Sequence, residues 1–260
     1  MYSPMTNSTT SSNIFCLLKA LSAILFWVVV WEIAALAVGN DFLLPSVPAT
    51  AEELILLLRS PASYKVMLLT LLRVGLGLIL GIILGTLLGV LCRKSSVLES
   101  LVSPAVSVIK STPVASFIIF LWVIMNGDLL SVFIAFLMVL PIIYQNVINA
   151  YSSIDKDLSE VCDVFKFNRI KRFKLLVFPT LTSFLVPAII TSAGLAWKAE
   201  IAAEIIAYTK NSIGQRINDA KYDMNTPRVF AWTVIVIVFS LILEKVTKML
   251  LGRLKYVNNH

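Results

Sequence analysis

Residues 66–92 read VMLLTLLRVGLGLILGIILGTLLGVLC, an apolar run of more than twenty residues broken by a single charge, Arg73. About 20 apolar residues cross the hydrocarbon core as a helix, so this run is long enough to span a bilayer with some tilt. A span cannot leave its backbone polar groups unpaired in lipid, and a helix pairs them all within itself. Within it, Gly77, Gly81, Gly85 and Gly89 follow one another at intervals of four, with Gly75 just before. At 3.6 residues per turn this spacing cuts a slowly winding groove without side chains, where a neighbouring backbone can approach closely. The groove reads as a helix-packing seam or as the lining of a permeation path. No phosphate-cradling loop is built from these glycines, because none is followed by Lys in the pattern GxxxxGK[ST].

The rest of the chain repeats the pattern of this run. Of 260 residues, 58% are hydrophobic and 14% charged, and the mean hydropathy is +0.88. An average soluble domain is roughly half apolar and a quarter charged. Apolar segments predict six spans, at about 14–38, 66–92, 105–126, 129–150, 176–207 and 228–251. The third and fourth come from one long run divided by Asn126-Gly127-Asp128, a polar turn without a cation. Thr226 is expected to cap the last span, with Pro227 in its first turn. Ala35-Leu36-Ala37 imitates a signal-peptidase site, but the preceding run is long and the first thirteen residues hold no Lys or Arg, so the first span is expected to be retained. The organisation expected is therefore a tail over 1–13, an all-α polytopic domain over 14–251 and a tail over 252–260. Little length remains for a soluble enzyme head or nucleotide-binding domain.

The net charge of +7 is read through topology before nucleic acid is considered. With six spans both termini share a side. The loops and tail on that side hold Arg93, Lys94, Lys110, Lys156, Lys166, Arg169, Lys171, Arg172, Lys174, Arg253 and Lys255. The opposite loops hold Arg59, Lys65, Lys210, Arg216, Lys221 and Arg228. Eleven against six places both termini in the cytoplasm by the positive-inside rule, and no nucleic-acid partner is called for. Cys16, Cys92 and Cys162 lack the spacing of a metal or redox pair and are expected as free thiols. The only histidine is His260, the last residue, which leaves no internal histidine for a Ser-His-Asp relay or a metal site.

Two segments carry candidate functional residues. The loop Tyr151–Lys174 is polar yet helical in period: Leu158, Val161 and Phe165 share one face. Asp157 with Glu160 resembles a capping box, and a helix is expected over 157–168. Such a short helix is unstable alone in water, so its apolar ridge needs a cover. That cover is either lipid, with the helix lying in the interface, or a groove on a cytosolic partner. In the fifth span, Trp197, Lys198, Glu200 and Glu204 lie at membrane depth or near the outer interface. Glu200 and Glu204 share a face, whereas Lys198 points elsewhere. Charges in a span usually face a cavity or a partner helix. Pairing with Arg73, a gate or substrate path, and proton coupling all remain open; Arg73 and Glu32 can also reach the interface by snorkelling.

The segment Glu160-Val161-Cys162-Asp163-Val164-Phe165-Lys166, with Pro179 nineteen residues after Glu160, resembles the EAA loop of permease subunits of bacterial ABC importers, whose pattern is roughly EAAxxxG, nine residues, IxLP. Other pieces are similar to the nitrate, sulfonate and taurine branch: Trp31-Glu32; Leu43-Leu44-Pro45-Ser46 with Pro48; Thr70-Leu71-Leu72-Arg73-Val74; and Gly194-Leu195-Ala196-Trp197 leading to Ala203-Glu204. The likeness runs from about residue 27 to 250. Lys166 stands at the motif's glycine position, Val161 and Cys162 replace its alanines, and Phe178 stands where Leu is usual, so a tight glycine turn does not carry over.

The resemblance implies a type I importer permease fold of six transmembrane helices with a cytoplasmic coupling helix, in a bacterial plasma membrane. It implies a homodimer, two ATPase subunits docked on Asp157, Leu158, Glu160, Val161, Cys162, Phe165, Lys166 and Pro179, and an extracytoplasmic solute-binding protein. ATP and Mg would be bound by the ATPase subunit, with no cofactor or metal in this chain and no catalysis by it. Arg73, Trp197, Lys198, Glu200 and Glu204 are candidates for the path or gate. The solute implied is a small anion such as nitrate, an alkanesulfonate or taurine, or a thiamine-precursor heterocycle. Two rival classes are a secondary transporter, which would show repeats and midplane ion sites, and an intramembrane hydrolase or transferase, which would need converging catalytic groups.

Overall fold

The computed structural model describes the backbone of residues 8–257 and the side chains of residue 19 and residues 21–252. The expected tail 1–13 and its orientation, the Cys16 thiol, the charges of Arg253 and Lys255, and His260 therefore fall wholly or partly outside the described residues. The chain forms two compact units, Met1–Ser60 with Asp219–Thr233, and Pro61–Asn218 with Val234–His260. All regular structure among the described residues is helical. Among the described residues five helices are long and apolar enough to cross a membrane, and a sixth crossing is available if one bent pair counts as a span. The chain is thus an all-α polytopic membrane protein.

In the first unit, α1 (Ser8–Val38) is followed by α2 (Val47–Arg59). Trp31 Nε1–H donates to the Pro45 carbonyl at 3.0 Å, and the Val47 N–H donates to Glu32 Oε2 at 2.7 Å. Glu32 thus satisfies an orphan donor at the α2 N-terminus. Ser46 caps α2. Arg228 and Asn225 each donate to Glu53 at 2.9 Å. Burial pushes the Glu53 carboxyl up, but the bonds from Arg228 and Asn225 outweigh it and hold the group below its ordinary value. At the last span the cap is Asn225, whose side chain accepts from the Arg228 N–H, while the Thr226 hydroxyl donates to the Phe42 carbonyl. The expected Thr226 cap is corrected by one residue.

In the second unit, α6 (Gly127–Ser152) is the most buried of the long helices, flanked by α3 (Pro61–Lys94) and α9 (Phe178–Ala207). The four glycines of α3 face an equally spaced series on α6. A methyl group at Gly77, Gly81, Gly85 or Gly89 would overlap Ala135, Val139, Ile143 or Val147 in turn. The missing side chains are what lets the two backbones meet. On the other side of α6, Leu130, Ile134 and Leu137 pack with Ala199, Ala203 and Ala207 of α9 and with Ile118.

In place of one continuous span over 105–126, the structure has α4 (Ser96–Ser111) and α5 (Val114–Trp122), bent by 101°. The break falls at Thr112-Pro113. Proline removes an N–H and disfavours helical backbone in the residue before it, and Thr112 is accordingly extended at φ −83°, ψ 131°. Loops also carry short helices, α7 (Lys156–Val164), α8 (Arg169–Arg172) and α10 (Ile213–Tyr222), before α11 (Thr226–Val257). A π turn over Phe173–Val177 joins α8 to α9.

Candidate functional site

Two constellations stand out, one at a loop helix and one inside the helix bundle. The first is α7, which occupies 156–164 rather than the expected 157–168. Its cap is Asp155, whose side chain accepts the Asp157 N–H at 2.8 Å. Asp157 and Glu160 therefore do not form a capping box; Asp157 lies inside the first turn, where a negative charge suits the helix dipole. At the other end, the Phe167 N–H donates to the Cys162 carbonyl at 2.9 Å and the Lys166 N–H to Asp163 at 3.1 Å. These two bonds are the Schellman pattern that closes a helix. They require left-handed backbone at Lys166, which has φ +50°. The turn that the motif makes with glycine is present here with lysine, correcting the expectation that it would be lost.

Between these caps Leu158, Val161 and Phe165 are all exposed, Phe165 at 70%, and Cys162 is the buried residue of the helix. Arg172 holds the helix from below, donating to Asp163 at 2.7 Å and to the Ser159 hydroxyl. Pro179 follows at the start of α9. Both Cys92 and Cys162 are free and buried.

The second constellation centres on Arg73 of α3. Its guanidinium donates to Glu204 of α9 at 3.0 Å, to Asp128 at the start of α6 at 2.7 Å, and to the Lys210 carbonyl at 3.0 Å. Glu204 is fully buried and also accepts from the Thr70 hydroxyl at 2.8 Å and from the Gly214 N–H at 3.1 Å. The Ile213 N–H donates to the same Thr70 oxygen. Three helices and the loop after α9 are thereby tied at one charged centre. Burying a carboxylate is tolerable only with this kind of paired, hydrogen-bonded shell. Any side chain at Gly214 would overlap Glu204, so a glycine is needed for the close approach.

The other fifth-span candidates separate. Trp197 is buried, donates to the Val236 carbonyl at 3.1 Å and stacks on Phe239 with centroids 5.9 Å apart. Lys198 is exposed. Glu200 is fully buried beside Glu204, whose carboxyl is the polar group within its hydrogen-bonding reach. Sequence reasoning singled out Arg73 and Glu204 but missed Thr70, Asp128 and Gly214. Thr70 lies three residues before Arg73, hence on the same helix face, which is a usable signal. Asp128 had been absorbed into the turn, and nothing local marks Gly214.

A family model described as "Binding-protein-dependent transport system inner membrane component" matches residues 77–256, beginning at the first glycine of the seam. The chain is also 25% identical over 240 residues to the "Putative aliphatic sulfonates transport permease protein SsuC" of Bacillus subtilis (strain 168), covering 90% of this chain and 85% of that protein.

Proposed function

This chain belongs to the family of inner membrane components of binding-protein-dependent transport systems, and from that premise we propose that it imports a small organic anion of the sulfonate type by alternating access, driven by partner ATPase subunits. It is a multi-spanning permease of an ABC-type importer, and its family is not a catalytic one. The working assembly is a homodimer bearing two ATPase subunits at α7 and a solute-binding protein on the opposite face, with both termini on the cytoplasmic side. The sulfonate assignment rests on the relative's name; binding calorimetry on the partner binding protein tests it, and selective binding of a heterocycle would replace it.

The observation that carries the mechanism is the ridge of Leu158, Val161 and Phe165. It is apolar and exposed, on a helix of under three turns that is closed at both ends by its own caps. A helix so short gains little from propensity, so the caps and Arg172 hold it ready for a groove that another subunit provides. Movement of that subunit on ATP binding pushes α7, and Arg172 together with the continuous run from Arg169 to Ala207 passes the displacement to the spans as a rigid-body tilt. The Arg73 centre serves as the latch at the far end of α9, where Glu204 and the loop after it are tied to α3 and α6.

The test is a Glu160→Lys, Phe165→Ala double variant in the reconstituted complex. Solute uptake should fall by roughly tenfold or more, and ATPase stimulation by the loaded binding protein should be lost, while the dimer still forms. Wild-type uptake with normal stimulation would defeat the docking role.

A further inference from the structure

We propose that the segment from Arg169 to Phe178 binds an anionic phospholipid, with the headgroup phosphate held by Arg169 and Lys174 and an acyl chain laid against Ile170, Phe173 and Phe178. These five residues line one cavity of about 430 Å³. The cavity's walls are apolar, and two of its five lining residues, Arg169 and Lys174, end in a cation, the pairing of chemistries that a phospholipid presents.

Three features of the chain produce this arrangement. The π turn is the first. In an α-helix residues five apart point away from one another, but here the Phe178 N–H closes onto the Phe173 carbonyl, and the wide turn brings the two rings onto one side with centroids 6.2 Å apart. The second is charge. No Asp or Glu occurs between Asp163 and Glu200, whereas Lys166, Arg169, Lys171, Arg172 and Lys174 all do. The third is how that charge is deployed. Arg172 is engaged by Asp163 and Ser159, and Lys171 lies over the Phe167 ring at 4.1 Å. Arg169 and Lys174 are the two cations that border the cavity, and no acidic side chain lines it.

The location selects lipid over other anions. The run Arg169–Ala207 is one of the candidate spans, so its cationic first turns sit where the chain enters the membrane. Ile170, Phe173 and Phe178 are exposed at 67%, 47% and 44%. A free phosphate has no use for that apolar wall, whereas an acyl chain covers it. Each Lys or Arg near an anionic lipid surface is worth about fivefold in binding. The site does not depend on the role of α7 in docking.

Native mass spectrometry of the full chain in detergent, with equal amounts of dioleoylphosphatidylglycerol and dioleoylphosphatidylcholine added, tests the proposal. The wild type should retain phosphatidylglycerol over phosphatidylcholine by about 25-fold. Arg169→Gln with Lys174→Gln should bring that ratio to within about twofold, and Arg169→Lys with Lys174→Arg should restore it. Arg93→Gln with Lys94→Gln, at another basic helix end, should leave it unchanged. A wild-type ratio near one, or an undiminished ratio in the Arg169→Gln, Lys174→Gln variant, overturns the proposal. Displacement of the lipid by glycerol 3-phosphate alone would reduce the site to a phosphate site and overturn the acyl assignment. Disulfide capture of an Ile170→Cys variant by an ATPase subunit or a second copy, in the assembled transporter, would make the cavity a protein contact and likewise end it.

Discussion

The seam between α3 and α6 and the ridge of α7 are built from the same kind of signal and end in opposite states. Both are periodic helix faces: glycines at intervals of four in one, apolar residues at intervals of three and four in the other. The glycine face is closed within the chain, against Ala135, Val139, Ile143 and Val147. The α7 face is open, with Leu158, Val161 and Phe165 exposed. Periodicity therefore says that a face will be covered, but whether the cover comes from the same chain depends on what the fold brings opposite. The contrast also divides labour. A close-packed seam has little freedom to deform and is suited to transmit displacement, and in the proposed mechanism the open ridge on a capped helix is where displacement enters.

The largest expected effect is at the charged centre that ties the seam helices to α9. Glu204→Ala removes the buried partner of Arg73 and leaves the Gly214 N–H and Thr70 without an acceptor. Breaking a buried pair from one side costs about 3–5 kcal/mol. The variant should lose most of its monodisperse peak in fluorescence-detected size exclusion after mild heating. A thermal midpoint equal to that of the wild type would mean that the centre contributes nothing to the bundle.

Next is the seam itself. Gly81→Val places a side chain where Val139 already stands, and overpacking of this kind costs about 1–3 kcal/mol. The midpoint should drop, and Val139→Gly in the same chain should recover part of the loss, because it takes away the Val139 Cβ that a side chain at position 81 would meet at 2.5 Å. Absence of any recovery would separate the glycine effect from that contact.

The smallest effect has the opposite sign and falls on the open region. Lys166 adopts left-handed backbone at φ +50°, which costs a non-glycine residue about 1–2 kcal/mol. Lys166→Gly should relieve part of this, adding about 1 kcal/mol locally. Slower amide exchange of α7 would register it, and faster exchange would contradict the strain. The same substitution leaves the seam untouched, so the global midpoint serves as the internal control.

Much of this architecture was legible in residue order alone. Apolar length marks a span because the backbone must satisfy itself across a fixed thickness, a local requirement with a local signature. The glycine spacing likewise announces a close approach, although not its partner. At Thr112-Pro113 the signal was present and outweighed: the apolar run around it spoke for one span, yet the proline's missing N–H and its constraint on Thr112 bend the chain there. At α7 the apolar spacing was readable, but the cap is Asp155, two residues before the expected Asp157, because the Asp155 side chain takes the orphan Asp157 N–H.

The residue order by itself determined the all-helical membrane class, the approximate positions of the long helices and the apolar period of the loop at 151–174, because each follows from composition and period over a few turns. Tertiary structure alone decided which groups share a charge. Arg73 reaches Glu204 across 131 positions and Asp128 across 55, Thr70 bridges to Ile213, and Gly214 makes room for Glu204. No window along the chain contains such a pairing. It exists only once α6 has set α3 and α9 side by side, and the cost of leaving a buried carboxylate unpaired then selects the partner.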